Sequence, residues 1–319
     1  ANQPTDTNDN LPQKASSPRI ADIVATQIAF ATLPTDPDAS NGDIVSGKPF
    51  ATQPILEAQN NAGQRDLNFG GTTTLSLASG NLTLSGTTRG AFSNGRADFT
   101  DNQLQVSALT DGLLFTLRAQ APGLPDLVSA TLTADVVATQ IAFAILPTDP
   151  DASNGDIVSG KPFATQPILE AQNDAGIRDL HITNFPVTLS TNSSSVSLSD
   201  ATSQIWDEGL ATFSDLLATG NLDGEIFTLT ASTQGLTSAQ TSLVCDVVAS
   251  IIVFTSQPGQ NNSPTILHEI SFATQPVLEA RDQNGTRDLH TSGQVVLSVH
   301  SGKASLTGQN VQNWSAGLA

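Results

Sequence analysis

DASNGDIVSGKPFATQPILEAQN, Asp38–Asn60, returns unchanged at Asp151–Asn173. Phe50 thereby maps to Phe163, 113 positions further on, and a diverged third copy, FATQPVLEARDQNGTRDLH, places Phe272 another 109 positions along. Upstream, VATQIAFA at Val24–Ala31 recurs at Val137–Ala144 and, as VASIIVFT, at Val248–Thr255. Self-similarity over this length does not arise by chance. A period of roughly 110 residues is too long for a solenoid unit and matches one whole sandwich domain.

Within a period the pattern is strand after strand. LTLSG, TTTLSLAS, RADFTDNQLQVSA, LLFTLRAQA and VSATLTADVV alternate apolar residues with Thr, Ser, Asn or Gln, which is the period of a strand with one face inward. Pro34, Pro37, Gly42, Gly47, Pro49, Asn61-Ala62-Gly63, Gly70-Gly71 and Gly90 punctuate the runs, and no stripe follows the helical period. The expected fold is all-β, a set of tandem immunoglobulin-like Greek-key sandwiches forming an elongated rod. The expected segments are a polar leader with a last-strand-like piece (1–23), a first copy (24–134), a second copy (135–246) and an incomplete third copy (247–319). ADVVA and CDVVA lead straight into the next first strand, so linkers are nearly absent.

The two ends are out of phase with the repeat. The third copy runs to WSAGLA, matching Trp206–Ala211, whereas Ser16–Val24 resembles Ser129–Val137, the last strand of a copy. With no methionine anywhere, position 1 included, the expectation is a processed chain or a piece of a longer array. A second expectation is donor-strand addition, in which the leading segment of one chain completes the open sheet of another and so builds a filament. Residues 1–14, polar and rich in Asn, Asp and Pro, suit a linker.

The net charge is −18, from 30 acidic against 12 basic residues, although only 13% of residues are charged. Such a chain repels nucleic acid and anionic membranes, and no apolar run reaches the roughly 20 residues that a spanning helix needs. The single cysteine, Cys245, permits no internal disulfide, and its counterpart Ala134 marks it as a small core residue. Stability must therefore come from packed cores.

SGKPFATQPILEAQNNAG, TLSLASGNLTLSG, NGRADFTDNQL and LFTLRAQAPGL together resemble the immunoglobulin-like repeats of large bacterial surface adhesins and attachment filaments. Those repeats read as an F-x-x-Q-P strand, a D-x-x-G turn, a G-x-x-x-F strand and a Y-T-L-x-A strand. Phe50–Pro54 and Gly95–Phe99 fit, and Phe115-Thr116-Leu117 stands where tyrosine is usual. The resemblance covers the chain beyond residue 23. It implies a secreted or cell-surface stalk, adhesin or fibre, with copies of the chain and a host or surface glycan or protein as partners.

No nucleophile, metalloprotease or phosphate-loop motif is present, and the chain is not expected to be an enzyme. His181 and His290 share one repeat position that Asn68 fills in the first copy, which speaks for surface histidines rather than a catalytic base. Calcium is the ligand to consider: the PTDPDASNGD loops supply Asp36, Asp38 and Asp43, then Asp149, Asp151 and Asp156, hard oxygen donors of the kind that Ca²⁺ takes six to eight of. The competing reading is an Asx/Pro turn capping backbone amides. The recurring Arg-Asp-Leu at Arg65–Leu67, Arg178–Leu180 and Arg287–Leu289 is read as an Arg and Asp pinning a loop while Leu enters the core. Trp206 and Trp314 are read as edge-packing residues; a sugar-stacking role would make the chain a carbohydrate-binding array.

Overall fold

A computed structural model describes residues 21–37, 43–150, 156–259 and 266–319. Among them every regular element is a β-strand. The strands alternate as the sequence asks: in Leu113–Gln120 the side chains of Phe115, Leu117 and Ala119 are buried, while Thr116 and Arg118 are not. The fold is all-β, built of immunoglobulin-like two-sheet sandwiches.

The chain divides into two compact units. One comprises the described residues within 1–36, 49–105 and 114–132; the other comprises those within 37–48, 106–113 and 133–319. In the first unit, Ile55–Gln59 is the centre of an antiparallel sheet between Gln27–Thr32 (Ile28↔Ala58) and Arg96–Asp98 (Leu56↔Ala97). The other sheet has Gly71–Ser79 between Arg89–Phe92 and Leu113–Gln120, with Leu77 opposite Leu117. Leu56, Phe99, Leu104, Phe115 and Leu117 fill its core.

The second unit repeats this plan over the second copy. Ile168–Gln172 lies between Gln140–Ile145 and Leu210–Thr212, in the same register and with the same irregularity two residues from the strand end. The opposed sheet runs Ile157–Val158, Ala239–Asp246, Glu225–Ser232, Pro186–Thr191, Ser203–Ile205, with Ile157–Val158 parallel to its neighbour (Ile157↔Cys245). Trp206, expected at an edge, is fully buried with Phe213, Phe227 and Leu229 in the core. Ile44–Val45 pairs in parallel with Leu132–Asp135 (Ala134↔Ile44), which draws this part of the first copy into the second unit. Over the third copy, Ile251–Ser256 pairs with Val277–Arg281 in the same register, and Gln294–Val296 pairs with Val311–Asn313. No described strand there faces the first pair as Glu225–Ser232 faces its equivalent, and Ile252 is 57% exposed where Ile28 and Ile141 are 3% and 5%.

The F-x-x-Q-P motif acquires a physical reason. The buried Gln53 side chain donates to the carbonyls of Phe50 and Leu104 and accepts the Leu104 N–H. Gln166 repeats all three bonds with Phe163 and Leu216. An amide carries the donor and the acceptor that this crossing of two chain segments needs, so its burial is satisfied.

Candidate functional site: the aspartate joints

Each Arg-Asp-Leu follows a tight turn that its own copy encodes. Asn60 Oδ1 accepts the N–H groups of Ala62 and Gln64, and Asn173 does the same for Ala175 and Ile177. The arginine then pairs with a strand glutamate (Arg65–Glu57, Arg178–Glu170, Arg287–Glu279). Gly209, at φ 72°, packs so closely on this loop that a Cβ would overlap the Asp179 carbonyl oxygen; Gly95 and Gly317 stand likewise against Asp66 and Asp288. The leucine does not enter the core as expected: Leu67, Leu180 and Leu289 are 58%, 37% and 39% exposed. The aspartate turns inward instead, because its two oxygens are the acceptors for two backbone N–H groups.

Those N–H groups connect the loop to the start of the first strand. Asp179 accepts from Ala138 N and His181 N, and Asp288 accepts from Ala249 N and His290 N. A second aspartate meets the same loop from the preceding copy. Asp111, in the turn before Leu113–Gln120, accepts Val136 N at 2.7 Å and Leu180 N at 2.8 Å. Asp223, in the equivalent turn before Glu225–Ser232, accepts Val247 N at 2.7 Å and Leu289 N at 2.6 Å. Both side chains are fully buried. The adjoining glycines add a bond each, Gly112 N to Ala134 O and Gly224 N to Cys245 O.

The histidines complete both joints. His181 Nδ1 lies 3.2 Å from Asp111 and 2.9 Å from Asp135; His290 Nδ1 lies 3.2 Å from Asp223 and 3.3 Å from Asp246. They are half-exposed rings whose inner nitrogen faces buried carboxylates, and thus more than the surface residues expected. Ligand atoms of Asp111, Asp179 and His181, and of Asp223, Asp288 and His290, fall within 4.8 Å of one another. That spacing would admit a cation, yet each oxygen of the four aspartates already accepts a backbone N–H. Chemically the joint is a carboxylate clamp made of charge-assisted hydrogen bonds.

Of the expected calcium ligands, Asp36 and Asp149 are buried, Asp43 and Asp156 are half-buried, and Asp38 and Asp151 lie outside the described residues. Asp156 belongs to the second joint's electrostatics. Burial pushes its carboxyl above the ordinary value, the His290 side chain opposes that, and Asp223 adds to it. Sequence reasoning missed Asp111, Asp135, Asp223 and Asp246. The available signal was their recurrence: Asp-Gly at 111 and 223, and Asp-Val-Val at 135 and 246.

No family model matches the chain, and no curated protein does. Solved structures similar to it include invasin, a bacterial integrin-binding protein, at 14% identity over 90% of this chain and 53% of that one, TM-score 0.35. Domains 4–9 of the surface layer protein SbsC match at 13% identity over 93% and 43%, TM-score 0.25. A glycosyl hydrolase family 2 member from Bacteroides cellulosilyticus matches at 15% identity over 60% and 22%, TM-score 0.29. The chain thus spans about a fifth to a half of the lengths of these structures.

Proposed function

We propose that this chain is a non-catalytic stretch of an extracellular or cell-surface stalk, whose joints stiffen a row of immunoglobulin-like domains. The observation that carries the reading is the duplicated clamp: Asp111 ties Val136 to Leu180, and Asp223 ties Val247 to Leu289. A linker of free residues would let neighbouring domains swing. Here the residues between one copy's last strand and the next copy's first strand are held from both sides by buried carboxylates, as a spacer requires. Sequence keeps the clamp even where loop residues around it differ, and the acidic, weakly charged surface suits a part that must not adhere to nucleic acid or anionic lipid.

Small-angle X-ray scattering of the full chain tests this. A maximum dimension near that of the domains laid end to end is expected, and Asp111→Ala with Asp223→Ala should broaden the distance distribution. A compact particle would remove the stalk reading.

A further inference from the structure

The leading end of the first copy carries most of a third joint. Ala25 N donates to Asp66, as Ala138 and Ala249 donate to Asp179 and Asp288. Asn68 N donates to the other Asp66 oxygen, and the Asn68 side chain donates to Asp22 at 2.8 Å, standing where His181 and His290 face Asp135 and Asp246. Two donors differ. Ile23 N and Leu67 N correspond to Val136 and Leu180, and to Val247 and Leu289, the pairs that Asp111 and Asp223 bridge. Among the described residues no group accepts from either. Beside them Val24 is 65% exposed and Leu67 58%, where Leu180 and Leu289 are partly covered.

We propose that the face formed by Ala21, Ile23, Val24, Leu67 and Asn68 is a docking surface for the aspartate-glycine turn of another immunoglobulin-like repeat of this kind. The inference rests on the stalk reading and names what this face takes. Two N–H groups that have no acceptor among the described residues, and whose counterparts share one aspartate, suit a bidentate carboxylate, while Asp22 and Asp66 are held by other donors. The adjoining apolar patch and the Ala21 carbonyl select a folded turn over a free anion. Ala21 is the counterpart of Ala134 and Cys245, the residues that accept from Gly112 and Gly224. The same chain seats this turn twice on equivalent faces, which commits the occupant to a like repeat.

The test inserts a second copy of residues 22–134 directly before Asp22 of the full chain, so that the inserted Ala134 runs into Asp22 as it natively runs into Asp135. Amide hydrogen exchange of the downstream Ile23 and Leu67 is then read by NMR after segmental labelling. Both amides should exchange at least about tenfold more slowly than in the parent chain, and Asp111→Ala in the inserted copy alone should restore the parent rates. Equal rates with and without that aspartate would overturn the proposal. The stalk reading fails separately, if the insertion leaves the maximum dimension in scattering unchanged, whatever the amides do.

Discussion

Position 68 in the first copy, 181 in the second and 290 in the third ask for an N–H donor toward an aspartate, and asparagine meets that demand as well as histidine. His181→Asn should therefore alter stability by less than about 0.5 kcal/mol, whereas His181→Leu, which offers no donor, should cost roughly 1 kcal/mol. Urea unfolding of the two variants checks the contrast; equal losses would mean that the ring acts through packing. Asp156 gives the pH dependence at this scale. Its folded-state affinity for a proton is raised above the ordinary value of 3.8, chiefly by burial. The ionised form thus opposes folding at neutral pH, and that penalty fades as pH falls through the raised folded value toward 3.8. Asp156→Asn should melt higher than the parent at about pH 7, with an advantage that shrinks toward about pH 4. An advantage that grows on acidification would contradict the assignment of burial as the cause.

Among the elements, the segment from Phe163 to Ile168–Gln172 depends on one amide. Gln166→Leu removes two donated bonds and one accepted bond, leaving the Phe163 carbonyl and the Leu216 N–H without the amide's bonds and the Leu216 carbonyl with the Phe163 N–H as its remaining donor. A loss of about 2–3 kcal/mol is expected, with faster exchange of the Leu216 amide; Gln166→Glu keeps the acceptor but not the donors and should not rescue it. The strands themselves were legible, because alternation and glycine or proline breaks are local signals. The glutamine's task was not, since Leu216 is 50 residues away in sequence. Asp111 was hidden for the same reason: Asp-Gly in isolation reads as an ordinary turn, and its partners Val136 and Leu180 lie 25 and 69 residues on. The leucine of Arg-Asp-Leu misled because an apolar residue after a charged pair suggests a core contact, while here the aspartate beside it is the one drawn inward by backbone donors.

At the scale of the whole molecule, the third copy shows what a joint contributes. Its two strand pairs lack a covering sheet among the described residues, and Ile252 and Phe254 are 57% and 46% exposed. Among the described residues its buried apolar side chains are few, Leu278 and Ala280 on the second strand of the first pair. In a row of domains, stability is a sum of each unit's own term and the term at each contact, and a unit with a weak term of its own survives only through the contact. Asp223 is the acceptor that reaches from the second copy to both Val247 and Leu289. Asp223→Ala leaves two N–H groups without their charged acceptor, at a cost of about 2–3 kcal/mol, or roughly a 30-fold to 150-fold shift in the opening equilibrium. Hydrogen exchange should therefore accelerate throughout Ile251–Ser256 and Val277–Arg281 together, while the Leu229 and Phe227 amides of the second copy's core keep their protection. Acceleration confined to Val247 and Leu289 would show that the third copy stands on its own packing and that the clamp only sets local geometry. Acceleration of both copies alike would instead make the second and third copies one cooperative unit, with the joint as part of a shared core.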